Sequence, residues 1–349
     1  MPDLSTPPSL LPLYAKAAAT APLHRGDALP DSVYTLKDQR IDRAHLAAFQ
    51  RVCDYPVTDV LPPTYLHVLA FPLSVALMTE RAFPFPLVGM VHVANSITLS
   101  RAVRADEQVS FRVRAADLRP HPAGRQFDLL AEATVDGEVV WSGRSTYLRR
   151  GKSEAKKSSD GRAALPPQTG TIAQVRVPDD IGRRYGAVSG DRNPIHLHKL
   201  SAKAFGFPSA IAHGMWLKAR TLATLEGRLP DAYTVEVAFK LPVLLPSSVA
   251  ISGEQSGDEW TLDVRDARSG KPHLAGTVIL PAKAAATAAK TPAAKAPAKK
   301  AAPAKRPVPA KQAAPAKAAP AKAPAKKAPA KKAAAKKSAA KKPGPDQPS

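Results

Sequence analysis

The sequence predicts an α+β protein of two similar units in one chain, each an antiparallel sheet wrapped on a helix, followed by a disordered tail. Three features carry that prediction. Residues 31–150 and 171–281 share one element order, a helical pattern followed by a series of alternating strands. Between them, residues 151–170 (GKSEAKKSSDGRAALPPQTG) are polar, contain Ser, Gly and Pro, and lack an apolar period, which marks a linker. After Pro281 the composition changes to repeats of Ala, Lys and Pro.

Residues 1–30 are rich in Pro and Ala and read as an N-terminal arm with one short helix around Leu10–Thr20. Val33 opens a run, VYTLKD, with strand period. Ile41–Phe49 has helical spacing, and Asp42 is placed to cap it. Prolines from Pro56 to Pro63 break that pattern. Pro72–Met78 allows a short apolar helix with Pro72 in its first turn, so the first unit's helix is expected to be reduced. Phe83-Pro84-Phe85-Pro86 is a turn. Stretches 91–99, 108–115, 126–135 and 139–148 alternate as strands, with hairpin signals at Pro122-Ala123-Gly124 and Asp136-Gly137. In the second half Thr171–Val177 reads as a strand, and Pro178-Asp179-Asp180 starts a short helix through Tyr185. An apolar helix is expected from about His213 to Glu226, ended by Gly227 and Pro230, with the spacing of a core helix. Strands at 234–241, 248–254, 260–265 and 273–280 complete the unit, with turns at Gly257-Asp258 and Ser269-Gly270.

A formal charge of +22 would by itself suggest a nucleic-acid binder. Residues 282–349, however, hold 18 of the 51 Lys and Arg and only one acid, so +17 sits there and +5 remains for the body. Basicity belongs to the tail. Proline every five residues or so prevents a long helix, and the segment has nothing to bury. It resembles the tails of linker-histone type, and evenly spaced Lys on a flexible chain neutralises DNA or another polyanion without reading sequence. The single cysteine, Cys53, excludes an intrachain disulfide and reads as a packing residue in a reducing compartment. No apolar run reaches the ~18–20 residues of a membrane span. The first residues lack a basic run and include Asp3, so the cytoplasm is the expected location. A chain of this plan is compatible with a monomer or a homodimer.

Chemistry concentrates in residues 185–220. Ser189, Gly190, Asp191, Asn193, Pro194 and His196 fall within eight positions. A carboxylate and an imidazole five positions apart, with a proline between them, can be aimed at one small volume. Two groups exchanging protons through a shared water are what general acid–base chemistry requires. Downstream, Ala212-His213-Gly214-Met215 reads as a loop turning into the apolar helix, with Gly214 near its start. Unpaired N–H groups there favour a developing negative oxygen. The combination suggests chemistry beside a carbonyl.

The run S-G-D-x-N-P-I-H, then A-x-x-x-G-F and A-H-G-M, resembles the signature of the MaoC-like, R-specific enoyl-thioester hydratases and dehydratases. The chain looks most similar to those that carry two hotdog units. The resemblance is strong over the signature and weaker over both halves of residues 31–281. It implies the hotdog fold and reversible syn addition of water to a trans-2-enoyl thioester, giving a (3R)-3-hydroxyacyl thioester. It further implies that Asp191 and His196 are catalytic, that Asn193 is structural and that Gly214 is the oxyanion donor. Ser189, Tyr185 and His213 are expected to support the site. The family often shows H-x-D after the catalytic His, whereas this chain has His196-Leu197-His198, which bears on the choice of substrate or carrier. The first unit, lacking D-x-N-P-x-H, is expected to shape the acyl pocket.

Plainer readings exist for each residue. Asp191 alone reads as a turn or cap residue and His196 as a buried, hydrogen-bonded histidine; together, with A-H-G-M downstream, they read as a site. Zinc on Asp191, His196, His198 and His213 would need a mixed, irregularly spaced set without Cys or H-E-x-x-H, so no metal is expected. Ser189 lacks a G-x-S-x-G elbow. Gly214 can instead serve close packing, Tyr185 can line the pocket or pack, and His92 reads as a structural strand histidine. No G-x-G-x-x-G or P-loop appears, so no cofactor is expected beyond the CoA or acyl-carrier protein that bears the substrate. The alternative is a non-catalytic acyl-thioester binder anchored by its tail.

Overall fold

The computed structural model describes residues 2–20, 27–151 and 170–281; the linker, but for its two ends, and the whole 282–349 tail lie outside them. The first half runs β1 (Asp3–Leu4), α1 (Leu10–Thr20), β2 (Val33–Arg40), α2 (Arg43–Cys53) and α3 (Pro63–Met78). The strands β3 (Met90–Leu99), β4 (Gln108–His121), β5 (Gly124–Val135) and β6 (Glu138–Arg150) follow. The second half runs β7 (Thr171–Val177), α4 (Ile181–Ser189), α5 (Pro194–Leu197), α6 (Lys199–Ala204) and α7 (Gly214–Ala223). It closes with β8 (Tyr233–Phe239), β9 (Ser247–Ser256), β10 (Glu259–Asp266) and β11 (Pro272–Ile279).

The described strands form one sheet in the order β1-β2-β4-β5-β6-β3-β8-β11-β10-β9-β7. Read outward from the β3–β8 pair, the two halves have matching connectivity, β3-β6-β5-β4-β2 on one side and β8-β11-β10-β9-β7 on the other. The antiparallel β3–β8 ladder, Ala94 opposite Ala238 through Leu99 opposite Tyr233, joins them. Each half would otherwise end there in an unpaired strand. Among the described strands only the two-residue β1 pairs in parallel, against β2. Asp136 (φ 50°) and Gly137 (φ 84°) form the tight β5–β6 turn that their sequence signals.

The first unit's helix is not reduced. α3 has 16 residues, 13 of them buried, and Pro72 sits inside it rather than in its first turn. An interior proline costs about 3 kcal/mol. Side chains such as Tyr65, Leu66, Leu73 and Leu77 are fully enclosed, and each contributes about 1.5–3 kcal/mol by burial, which outweighs that cost. The Trp141 indole N–H, from the sheet, donates to the Pro63 carbonyl at 2.9 Å and fixes the start of α3. α2 begins where expected, with the Asp42 carboxylate accepting from the Ala44 and His45 N–H groups. It ties the halves together: His45 Nε2 lies 2.9 Å from the Val188 carbonyl, and Trp216 Nε1–H donates to the Val52 carbonyl at 3.0 Å.

Candidate active site

The loop that carries the polar cluster is shaped by small residues. α4 ends at Gly190, whose φ of 72° turns the chain and favours glycine there. Asn193 then caps the one-turn helix α5, its Oδ1 accepting from the Ile195 N–H at 3.4 Å, and Pro194 occupies the first helical position. α4 passes so close to α5 that a Cβ on Gly182 would stand 1.9 Å from the His196 carbonyl oxygen. The Ser189 hydroxyl accepts from the Asp191 N–H at 3.2 Å.

Asp191, His196 and His213 converge, with one ligand-capable atom of each lying within 4.8 Å of the others. Asp191 Oδ1 accepts from the Asn193 N–H at 3.1 Å and from the Tyr14 hydroxyl at 3.2 Å. The turn role of Asp191 therefore coexists with its place in the cluster. Its Oδ2 lies 3.8 Å from His213 Nε2. His196 Nδ1 lies 2.8 Å from the Ile211 carbonyl, which only accepts, so the proton sits on Nδ1 and the lone pair on Nε2. His213 Nε2 likewise faces the Asp191 backbone carbonyl at 3.0 Å, leaving its buried Nδ1 without a partner. The two imidazoles stack with centroids 3.7 Å apart.

Charge follows from this geometry. Burial pushes the Asp191 carboxyl up, but His213, His196, the Asn193 N–H and the Tyr14 hydroxyl together hold it below the ordinary carboxylate range. Burial pushes His196 down, against Asp191 and the Ile211 carbonyl, and pushes His213 to about 3 with help from the neighbouring His196. The cluster thus rests at neutral pH as a carboxylate beside two neutral imidazoles. With His213 Nε2 facing a backbone carbonyl, the lone pairs of His196 Nε2 and His213 Nδ1 and the Asp191 carboxylate are the groups left to accept a proton or a cation.

These side chains open onto a cavity of about 330 Å³ shared by both halves of the chain. Gly214 is the first residue of α7, so its N–H has no carbonyl partner within the helix. Its alternative role in packing also holds, since a Cβ there would meet the Phe239 ring at 3.0 Å. Tyr185 lines the cavity and packs its ring 5.0 Å from His213. His198 is exposed, stands between α5 and α6, and is not among the three converging residues. His92, expected to be structural, lines the cavity, its ring stacked on Tyr147 at 4.7 Å and its Nε2 buried without a partner. Cys53 is buried as expected, and burial pushes its thiol above the ordinary range.

Four residues escape sequence reasoning. Tyr14 reaches Asp191 from the N-terminal arm, and His67 of α3 lines the cavity. Gly182 looks like any helical glycine. Lys218 lies in the apolar run of α7 yet is fully buried, donating to Asn95 Oδ1 at 2.6 Å and to the Asn95 and Val235 carbonyls. Its three acceptors lie on β3 and β8, so it stitches the joint between the halves. The one signal available was a lone cation on an apolar helix face.

Comparison with known proteins gives the family. Residues 158–275 match the family described as MaoC-like domain. Over 270 residues the chain is 37% identical to 3-hydroxyacyl-thioester dehydratase X of Mycobacterium tuberculosis, covering 76% of this chain and 95% of that protein. The crystal structure of HtdX from the same organism has a TM-score of 0.63 at 36% identity, over 71% of this chain and 99% of that one. A MaoC-like dehydratase from Phytophthora capsici shares the fold at 14% identity, with a TM-score of 0.58 over 72% of this chain and 96% of that one. The chain belongs to the MaoC-like dehydratases, a family of hydro-lyases with the hotdog fold.

Proposed function

We propose that this protein interconverts trans-2-enoyl thioesters and (3R)-3-hydroxyacyl thioesters by adding or removing water. The observation that carries the reading is the convergence of Asp191 and His196 within 4.8 Å at the wall of a cavity, close to the start of α7. Two hydrogen bonds through one water span about 5.5 Å, so one water can be held between the pair. The relative in M. tuberculosis, a dehydratase of 3-hydroxyacyl thioesters by name, supports the same substrate class.

In the hydration direction the thioester carbonyl accepts a hydrogen bond from the Gly214 N–H, which stabilises the enolate that forms. The bridging water gives a proton to the Asp191–His196 pair as its hydroxide adds to C3. The pair then returns a proton to C2 on the same face, so one water is consumed and the pair is restored. Both members rest without a proton on the atom facing the water, and they titrate as one coupled unit. Asn193 and Ser189 hold the loop, and His213 and Tyr185 form its wall. The first unit, through α3 and β3, shapes the acyl pocket. No cofactor enters beyond the CoA or acyl-carrier protein on the substrate.

The test is the ultraviolet absorbance of trans-2-enoyl-CoA substrates of increasing length, with chiral analysis of product. Loss of the conjugated signal with (R) product is expected. No turnover on any CoA or carrier-protein thioester would leave a binder in place of an enzyme. The +17 tail supports a second role, retention on a polyanion. Deleting residues 282–349 is expected to abolish salt-sensitive retention on DNA or polyphosphate and to leave turnover unchanged. Retention unaffected by the deletion contradicts it.

A further inference from the structure

The N-terminal arm is not a bystander to the catalytic loop. Its β1 pairs with β2, and Asp3 holds the Thr35 hydroxyl and the Lys37 ammonium, both at 2.6 Å. The chain then forms α1, where Leu10, Leu13, Tyr14 and Ala17 recur at helical spacing on one face. Ala17 is fully buried, Leu10 and Leu13 pack against the core, and Leu11, off that stripe, is exposed. Leu10 rests on the turn before the catalytic carboxylate: a Cβ on Gly190 would come within 2.2 Å of its Cδ1. One helical turn on, the Tyr14 hydroxyl donates to Asp191 Oδ1 at 3.2 Å, while the Arg192 backbone N–H faces the same phenol oxygen. Tyr14 is not part of the cavity wall, so it reaches the carboxylate without occupying the substrate's space.

We infer that Tyr14 is a positioning residue for the reaction. With the Asn193 N–H it occupies Asp191 Oδ1, fixing the rotation of the carboxylate so that Oδ2 is the oxygen turned toward the imidazoles and the bridging water. This rests on the acid–base role proposed for Asp191. A hydroxyl that donates to the ionised carboxylate also favours that form. The other groups acting on Asp191 are His196 of α5, His213 at the start of α7 and Tyr185 of α4, with His67, His92 and Tyr147 of the first half at longer range. All of these remain when the Tyr14 hydroxyl alone is removed.

The experiment compares full-length wild type, Tyr14→Phe and Leu10→Ala. Phenylalanine keeps the ring and its packing, so Tyr14→Phe is expected to fold and melt like wild type. It should lower kcat about tenfold with little change in KM, and move the acid limb of kcat/KM to higher pH. Leu10→Ala, which loosens the helix and keeps the phenol, should shift the same quantities in the same direction by less. In parallel, the Asp191 carboxyl is titrated by carbon-13 NMR on aspartate-labelled protein, its signal identified by its absence in Asp191→Asn. Its midpoint should rise in Tyr14→Phe. An unchanged midpoint and pH profile in Tyr14→Phe overturns the assignment. So does a shift in Leu10→Ala alone, which would make packing of the arm the cause. A midpoint shift in Tyr14→Phe, with wild type turning over no enoyl thioester, would sink the proposed reaction and keep the hold of Tyr14 on Asp191.

Discussion

At the scale of single residues, the pair proposed for acid–base work, Asp191 and His196, is aimed by neighbours that carry no chemistry of their own. Gly182 is the sharpest case, because a methyl group there would stand 1.9 Å from the His196 carbonyl, an atom of the backbone that cannot rotate away. Gly182→Ala is expected to cost about 1–3 kcal/mol of stability by overpacking, and to lower kcat because the displaced atoms belong to the loop proposed to carry the reaction. Thermal melting together with steady-state kinetics checks both effects; a wild-type melting temperature would show that α4 and α5 are not locked together. The pH profile is set at the same scale. The proposed reaction needs Asp191 ionised and His196 neutral, and both are held below their ordinary ranges in the fold. Activity should therefore stay flat from neutral pH downward through the range where a free histidine titrates, about 6.5, and fall only below it. A limb in kcat/KM above pH 7 would contradict this.

Among the elements, what was legible in the sequence was what is encoded locally. Asp42 before an apolar helical run announces a capped helix, and α2 begins with that cap in place. Asp42→Ala should lower stability by about 0.5–2 kcal/mol in denaturant melts while leaving kcat unchanged. An equal loss of activity would mean that α2 positions the site directly. The strands of both units and the segment from Ser189 to His196 were likewise readable, because alternation and polar clustering are properties of neighbours in the chain. The full length of α3 is not legible locally, because propensity and burial point in opposite directions at Pro72 and only the folded packing shows that burial wins. Tyr14 was invisible for a related reason. Its partner Asp191 lies 177 positions away, and nothing in a Pro/Ala-rich arm signals a phenol destined for a carboxylate. Lys218 was absorbed into the apolar face of α7, although its acceptors sit on β3 and β8.

For the molecule as a whole, placing one cavity between two units concentrates neutral imidazoles in the interior. Burial holds His67 to about 4, helped by Lys218, and holds His92 and His213 to about 3. In the unfolded chain the same groups titrate near 6.5. Between those limits the unfolded state binds more protons, so stability rises with pH and is lost as pH falls from about 6.5 toward about 3–4. Each imidazole contributes a slope of up to about 1.4 kcal/mol per pH unit. Denaturant unfolding of wild type and His92→Leu across pH 4–7 checks this, the variant being expected to show the shallower dependence. Identical slopes would mean that His92 is not held neutral by the fold.

The most direct test of the central claim is a double-mutant cycle in kcat on Asp191→Asn, His196→Ala and the pair combined, with melting temperatures measured alongside. Two groups that share one water act as a unit. Each single variant should lose about 10²–10⁴ in kcat with little change in stability, and the combined variant should lose little more than the worse single. Full activity in either single variant, or losses that multiply in the combined one, would contradict the account.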